Sequence, residues 1–235
     1  MEAAAKTPQT NRLIAKLPDE ERERLMPDLD VLLLPIRHAV AEPRQPFTHV
    51  YFPIDLIISL VIEMEDRAAV EVGTIGNEGM VGVPLVLGTR ESPTRVFCQV
   101  AGHAARMKAE RFLEHFDSAP HFNRLLHRYA QAMLNQVSQT AACNRGHEIE
   151  QRMCRWLLMT SDRVGADEFD LTQEFLAQML GVRRPSVTVV AGMLYKAGLI
   201  SYMRGRIKIL DRPRLEAASC ECYRLVKEED ERLLR

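Results

Sequence analysis

The chain has 235 residues, of which 46% are hydrophobic and 27% charged, with a formal net charge of −1. That is enough for two modest domains with cores of their own, and a charge so close to zero excludes a uniformly basic protein. No segment approaches the roughly 18 apolar residues of a membrane span, since LIISLVI is closed by Glu63 and Glu65.

The N-terminal MEAAAKTPQTNR has no apolar h-region, so no secretory signal is expected. Five cysteines, at 98, 143, 154, 220 and 222, form no disulfide framework, and the odd count fits a reducing compartment. Both features point to a cytoplasmic protein. Residues 11–34 read as an acidic amphipathic helix after Leu17-Pro18, with Leu25, Leu29 and Leu32 facing inward. From Leu34 to about Met107 the pattern changes to closely spaced apolar runs, HVYFP, LIISLVIEM, AAVEVGTIG, VGVPLVLG and TRVFCQV. Short strand-like runs of this kind predict a small antiparallel barrel or sandwich. Residues 65–67 suit a hairpin tip and Gly76-Asn77-Glu78-Gly79 a sharp loop. Lys108 to Phe116 turns helical, closing a first unit over residues 11–119.

After Pro120 a long helix is predicted over residues 120–145, with Leu126, Tyr129, Met133, Val137 and Thr140 on one stripe. Such a stripe needs a partner surface. One reading supplies it from the same helix of a second subunit, with Gln136 and Asn144 setting the register; the other packs it on the chain's own barrel. Cys143 to Gly146 would be a hinge. A further helix, EIEQRMCRWLLMTSDRVG, brings Met153, Trp156, Leu157 and Met159 to the core of a C-terminal unit over residues 146–235.

Within that unit, Leu171 to Leu210 reads as two short helices joined by a glycine turn and followed by a β-hairpin. Thr172 can cap the first helix, and Phe175, Leu176, Met179 and Leu180 form its apolar face. Gly181 breaks it, Val182 plugs the turn, and Pro185 suits the first turn of the second helix. Val187, Val190, Ala191 and Leu194 repeat at helical spacing, and Gly198 ends the run. Between Leu171 and Leu215 the cations are Arg183, Arg184, Lys196, Arg204, Arg206, Lys208, Arg212 and Arg214, against Glu174 and Asp211. The basic charge is therefore local, and DNA binding needs a basic face rather than a basic protein.

These residues resemble the winged helix-turn-helix of the Crp/Fnr superfamily of bacterial transcription regulators, in which a second helix enters the major groove. The order of the whole chain, over about 220 of its 235 residues, is similar to the same layout. The resemblance implies an α+β fold: an N-terminal antiparallel β-roll of cyclic-nucleotide-binding type, a long dimerisation helix and a C-terminal winged helix-turn-helix. It implies a homodimeric, sequence-specific regulator of transcription whose partners are double-stranded DNA and RNA polymerase, with no membrane. It places Arg184 at a base-reading position, flanked by Arg183, Ser186 and Thr188, with Thr172, Gln173 and the wing residues Arg204 and Arg206 on the backbone. Pro185 and Val189 depart from the best-known member, so the operator should differ. An alternative reading is a cyclic-nucleotide or other small-ligand receptor module whose winged helix mediates protein interaction.

The resemblance also locates an effector pocket. Family members hold a cyclic phosphate with a Gly-Glu pair at the start of a short helix and an Arg-Ser or Arg-Thr pair after it. Here Gly82 is retained, Val83 replaces the Glu, and Ser92-Pro93 falls near the second pair, leaving Arg90 and Arg95 as candidate substitutes. Cyclic AMP is therefore not expected and the effector is unknown. No cysteine precedes Cys98, so an N-terminal iron–sulfur cluster is not expected, and Cys220-Glu221-Cys222 alone offers too few ligands for a metal. No cofactor is predicted. Glu63 and Glu65 read as hairpin solvation. No G-x-S-x-G, P-loop or G-x-G-x-x-G is present, so the chain is not expected to be an enzyme.

Overall fold

Two antiparallel sheets closed by a long helix make up the first half of the computed structural model, which describes residues 7–65, 69–203 and 205–234. Asn11 starts the first helical turn, α1 (Arg12–Ala15). Its Oδ1 accepts from the amides of Leu13 (3.1 Å) and Ile14 (3.4 Å), and its Nδ2 donates to Pro53 O and Gly79 O, both at 2.9 Å. A fully buried amide with all these partners fixes the N-terminal segment on the sheets.

The acidic helix is shorter than its pattern suggests. Helix α2 covers Asp19–Leu25 and gives way to a 3-10 turn over Met26–Asp28, because Pro27 cannot continue an α-helix. Leu25 is fully buried as expected. Leu29 instead leads out of the turn, and Leu32 lies on strand β1 (Asp30–Leu34).

The remaining strands of this half are β2 (Ala39–Ala41), β3 (His49–Pro53), β4 (Ile57–Glu63), β5 (Ala69–Ile75), β6 (Arg95–Val100) and β7 (Gly102–Lys108). One sheet has the order β1-β7-β3 and the other β2-β6-β4-β5, all antiparallel. Of the hairpin tip at 65–67, Asp66 and Arg67 lie outside the described residues. VGVPLVLG does not form a strand. Val81 makes one bridge to Tyr51, Gly82 turns the chain at φ 121°, and α3 (Val83–Val86) follows with Pro84 in its first turn. A Cβ at Gly82 would lie 2.7 Å from Val50 Cγ1, so the turn requires glycine on two counts.

Helix α4 (Ala109–Ser118) and helix α5 (Pro120–Gly146) close the roll. Phe52, Phe112 and Phe122 are fully buried, and the Phe122 ring meets both others, 6.4 Å from Phe52 and 5.8 Å from Phe112 between ring centroids. The Glu21 carboxylate accepts from the free amides of His121 (3.0 Å) and Phe122 (2.8 Å) at the start of α5. Burial opposes its ionisation, but these bonds and that to the His121 ring prevail and lower its pKa.

The stripe on α5 faces the chain's own barrel. Leu126, Tyr129 and Met133 are buried in the roll's core and Val137 packs against it. Tyr129 Oη donates to Met80 O at 3.0 Å, and Gln136 Oε1 accepts from Thr74 N at 2.9 Å. Thr140 Oγ1 accepts from Arg155 at 3.1 Å. Leu126, Tyr129 and Met133 of the expected subunit interface are therefore committed within the chain, because the apolar side of the second sheet must be covered and α5 lies over it, while Val137 and Thr140 stay half-buried.

The second half contains α6 (Ile149–Val164), β8 (Glu168–Asp170), α7 (Gln173–Leu180), α8 (Arg184–Lys196), β9 (Ile200–Met203), β10 (Arg206–Ile209), α9 (Arg212–Ala218) and α10 (Cys222–Leu233), with a sheet of order β8-β10-β9. Met153, Leu157, Leu176, Val187, Leu194 and Ile207 form its core, and Val61 and Phe97 of the roll join that cluster. Helix α6 adds two polar links. Trp156 Nε1 donates to Glu71 Oε1 at 3.0 Å, and Arg163 Nε donates to Glu78 Oε1 at 2.7 Å in a buried pair. Gly76 and Gly79 border Glu78 because a Cβ there would run into Arg163 and Tyr129 respectively.

Burial pushes the Glu71 carboxyl up from 4.5 to about 7, against the opposing pull of Ser59, Trp156, Arg163 and Arg155. A carboxyl whose folded pKa is raised contributes most below pH 4.5 and progressively less up to about pH 7. Asp230, raised to about 7 by burial and Glu78, titrates over the same range. Glu71→Gln keeps an acceptor for Trp156 and does not ionise. It should melt higher than the parent at pH 8, by roughly 2–4 °C for each kcal/mol recovered, and alike at pH 4.5. Thermal melts at the two pH values check this, since Asp230 contributes equally to both proteins; equal melting at pH 8 would refute it.

Candidate nucleic-acid interface

The two helices of the motif form as their local chemistry dictates. Thr172 Oγ1 accepts from Phe175 N at 3.1 Å, a cap worth about 1 kcal/mol, and Gly181 ends α7 at φ 62° in the left-handed region. Phe175, Leu176, Met179 and Leu180 are buried, as are Val187, Val190, Ala191 and Leu194 of α8. Pro185 sits in the first turn of α8, where a missing amide hydrogen costs nothing.

Burying that side of α8 leaves Arg184, Thr188, Val189, Met193 and Lys196 exposed. Thr188 Oγ1 donates to Gln173 Oε1 at 2.7 Å, joining the N-terminal turns of the two helices. Arg184 Nε is 3.9 Å from Glu174 Oε2, with both side chains mostly exposed. An exposed pair at that distance holds the guanidinium only weakly. Arg183 and Thr172 are exposed and Ser186 half-buried, so the residues expected at this site cluster at one end of α8. Val189, whose departure from the best-known member bears on the operator, is 63% exposed, and Met193, 50% exposed and one turn further on, joins it on the same face, as its spacing from Val189 signals.

The wing differs more from expectation. Arg204 lies outside the described residues. Arg206 is exposed, but its Nε is 3.1 Å from Asp170 and its Nη1 3.4 Å from Glu168. Both acids lie just before Leu171, and the pairing of β10 with β8 sets Arg206 opposite Asp170. Arg212 turns inward, bonding to Asp162, to Tyr223 Oη at 2.9 Å and to Glu216 at 3.0 Å. It therefore leaves the basic face.

A second feature lies in the roll. A cavity of about 350 Å³ is lined by Leu60, Ile62, Val72, Val96, Met133 and Val137, with Gly82 at its edge and Ser92 and Thr94 contributing the hydroxyls. Arg90 and Arg95 do not line it. Arg95 reaches instead to Glu63 (3.1 Å) and Glu42 (3.5 Å), which also gives Glu63 a partner. Elsewhere, Cys143 and His147 come into contact with the Cys220–Cys222 pair, which therefore offers more than the two ligands counted in the sequence.

Comparison with known proteins bears on the geometry of the C-terminal half. A family model described as the Crp-like helix-turn-helix domain matches residues 151–218. Residues 151–218 are a Crp-like helix-turn-helix domain. The Crp-like domain spans α6 through α9, and the fold of most of the chain is similar to that of solved regulators. A protein assigned to the crp/fnr family of transcriptional regulators from Eubacterium rectale is 15% identical, with a TM-score of 0.68 over 88% of this chain and 96% of that one. The c-di-GMP responsive global regulator CLP of Xanthomonas campestris is 20% identical, with a TM-score of 0.65 over 83% of this chain and 100% of that one. FixK2 from Bradyrhizobium japonicum is 12% identical, with a TM-score of 0.66 over 82% and 98%. Among curated proteins, none matches this chain in sequence. No helix among the described residues is long and apolar enough to cross a membrane.

The ion pairs of Arg206 give the wing of the Crp-like domain a specific prediction. Asp170→Asn frees the guanidinium and should tighten retention of mixed-sequence duplex DNA by up to about fivefold at low salt. Arg206→Ala should weaken it and lower the salt slope by about one unit. Gel shifts across a salt series measure both, and unchanged slopes in both variants would remove the wing from the phosphate contacts.

Proposed function

We propose that this chain is a transcription regulator that binds duplex DNA as a homodimer, with the N-terminal half of α8 in the major groove. The observation that carries this reading is the exposure of Arg184 and Thr188 in the N-terminal half of α8 within the Crp-like domain, with half-buried Gln173 of α7 bonded to Thr188. Arg184 reads a guanine edge, and Arg183, Ser186 and Thr188 supply neighbouring base or phosphate contacts. Thr172 and Gln173 meet the backbone, with Arg204 and Arg206 on the wing. Val189 has no hydrogen-bonding group and is matched to a thymine methyl.

The proposed dimer forms along the outer side of α5, not along the stripe read from the sequence. His127, Gln131, Leu134, Ser138, Ala141 and Arg145 are all exposed and follow a 4-3 spacing, the repeat of a paired helix. Leu134 is 59% exposed, and the small side chains at 138 and 141 allow close helix approach. Genomic footprinting should reveal two half-sites with centres about 34 Å apart. On a site so found, Arg184→Ala should cost about 1–3 kcal/mol and relax one base position. An equal loss on random DNA would refute base reading. No DNA retention at low salt would favour the alternative of a protein-contacting winged helix.

The roll cavity supports an apolar effector. Its lining is nearly all hydrocarbon and includes neither candidate arginine, while its volume falls in the range of small-molecule sites. An anion placed there would lose its hydration without gaining a cation. Thermal-shift and calorimetric titrations should show binding of medium-chain alcohols such as decanol and none of cyclic AMP or cyclic GMP. Saturable binding of either nucleotide in this cavity would overturn the assignment.

A further inference from the structure

At the far end of α5 the fold gathers four side chains from separate stretches of sequence. Cys143 lies in the last turn of α5, His147 follows that helix, Cys220 lies between α9 and α10, and Cys222 opens α10 after Glu221. One ligand atom from each residue lies within 4.8 Å of all the others. The Sγ atoms of Cys143 and Cys220 are 3.5 Å apart, and Cys222 Sγ is 3.6 Å from His147 Nδ1. Cys143 and Cys222 are fully buried and Cys220 nearly so, with the imidazole at the rim.

These separations are the edges of a tetrahedron around one small ion. With Zn–S of about 2.3 Å and Zn–N of about 2.0–2.1 Å, tetrahedral angles place two sulfurs about 3.8 Å apart and a sulfur about 3.5 Å from the nitrogen. A disulfide needs its sulfurs at about 2.05 Å and would use only two of the four groups. A multi-iron cluster requires its ligands spread around a wider core of metal and sulfide. Three soft thiolates and one imidazole in closed tetrahedral array select zinc among the common divalent ions.

The surroundings fit the same chemistry. His147 Nε2 is 3.1 Å from Glu221 Oε2, so the carboxylate holds the ring proton on that side and leaves Nδ1 facing the sulfurs as a ligand. Gln139 Nε2 donates to Cys222 Sγ at 3.0 Å. A dication with three thiolates leaves one net negative charge, and Arg152 and Arg155 lie on the adjacent face of α6 to offset it.

We propose that Cys143, His147, Cys220 and Cys222 bind one zinc ion, which fastens the C-terminal end of α5 to the connection between α9 and α10. Binding releases the thiol protons to solvent and ties the long helix to the segment that follows the winged helix. The site is distinct from the DNA-reading face and its test needs no DNA.

The full chain, purified under reducing conditions, should carry close to one zinc per chain by elemental mass spectrometry. Cys220→Ser and His147→Ala should lose most of it, while Cys98→Ser and Cys154→Ser, whose thiols lie elsewhere in the cores, should retain it. Cobalt exchanged into the site should show thiolate-to-metal charge-transfer bands and the intense visible bands of tetrahedral coordination. Because a ligand variant can unfold, Glu221→Gln supplies a second measure. It keeps all four ligands and should weaken zinc affinity about 10- to 100-fold in chelator competition with an unchanged circular dichroism spectrum. The proposal is overturned if the fully reduced chain binds neither zinc nor cobalt at one equivalent. Iron with acid-labile sulfide at these residues, or a Cys143–Cys220 disulfide in the native protein, would overturn it equally.

Discussion

The contact on which the arrangement of the two halves depends is the pair of carboxyl groups that the β-roll offers to α6. Glu71 on β5 receives Trp156, and Glu78 in the Gly76–Gly79 turn receives Arg163. Both carboxyl groups are buried at the junction, and if the Crp-like domain swung away Glu71 would keep Ser59 but lose Trp156, and Glu78 would lose Arg163. Removing one member of a buried pair such as Glu78–Arg163 typically costs about 3–5 kcal/mol, comparable to much of a domain's net stability. The two glycines of the turn follow from the same constraint, since they bring Arg163 and Tyr129 against the backbone. A reorientation of the winged helix must therefore exchange these bonds for others, and α6 is the element through which it would act.

Helix α5 is held along its length by different means. Its start is capped by Glu21 from α2, its middle is fixed by Tyr129 and Gln136 bonding to the backbone of the roll, and its end enters the cysteine–histidine cluster. The inner side is therefore committed within the chain, and the outer side is available. This division lets one amphipathic helix serve as a structural wall and, in the proposed dimer, as a docking surface. Met133 and Val137 also line the roll cavity, so a guest there would press on the same helix whose far end meets the Crp-like domain.

The DNA-reading motif was legible in the sequence because each of its signals is local. A capping threonine, two glycines in left-handed turns, a proline in a first turn and apolar residues at helical spacing act within a few residues of themselves, and all are found where expected. The β-rich half was legible as a class for the same reason, since strand-like runs and turn residues alternate along it. What was not legible depends on partners distant in sequence. The α5 stripe identifies an apolar face but not which apolar surface covers it. The VGVPLVLG run alternates too little to distinguish a buried strand from a short helix, and the backbone at Gly82 decides it. Arg206 and Arg212 counted as basic-face residues until β pairing and the packing of α9 supplied acids from β8 and α6. The cysteine cluster joins positions 143 and 147 to 220 and 222, and no spacing rule spans that gap.

The charge distribution gives α8 and the wing different parts to play. Arg184 is held only by a long exposed pair, whereas Arg206 faces two carboxylates across the β8–β10 ladder. A wing arginine that starts out paired must exchange a carboxylate for a phosphate, so it adds less to sequence-independent attraction than a free one would. Weaker nonspecific attraction lowers competition from the many irrelevant sites of a genome, where discrimination matters more than affinity. In the proposed complex the exposed Val189 and Met193 act in the same direction, because apolar contact with thymine methyl groups contributes at base edges and nothing at phosphate. In the proposed complex the basic charge sets the approach, and the weakly held groups in the N-terminal half of α8 decide where the protein stays.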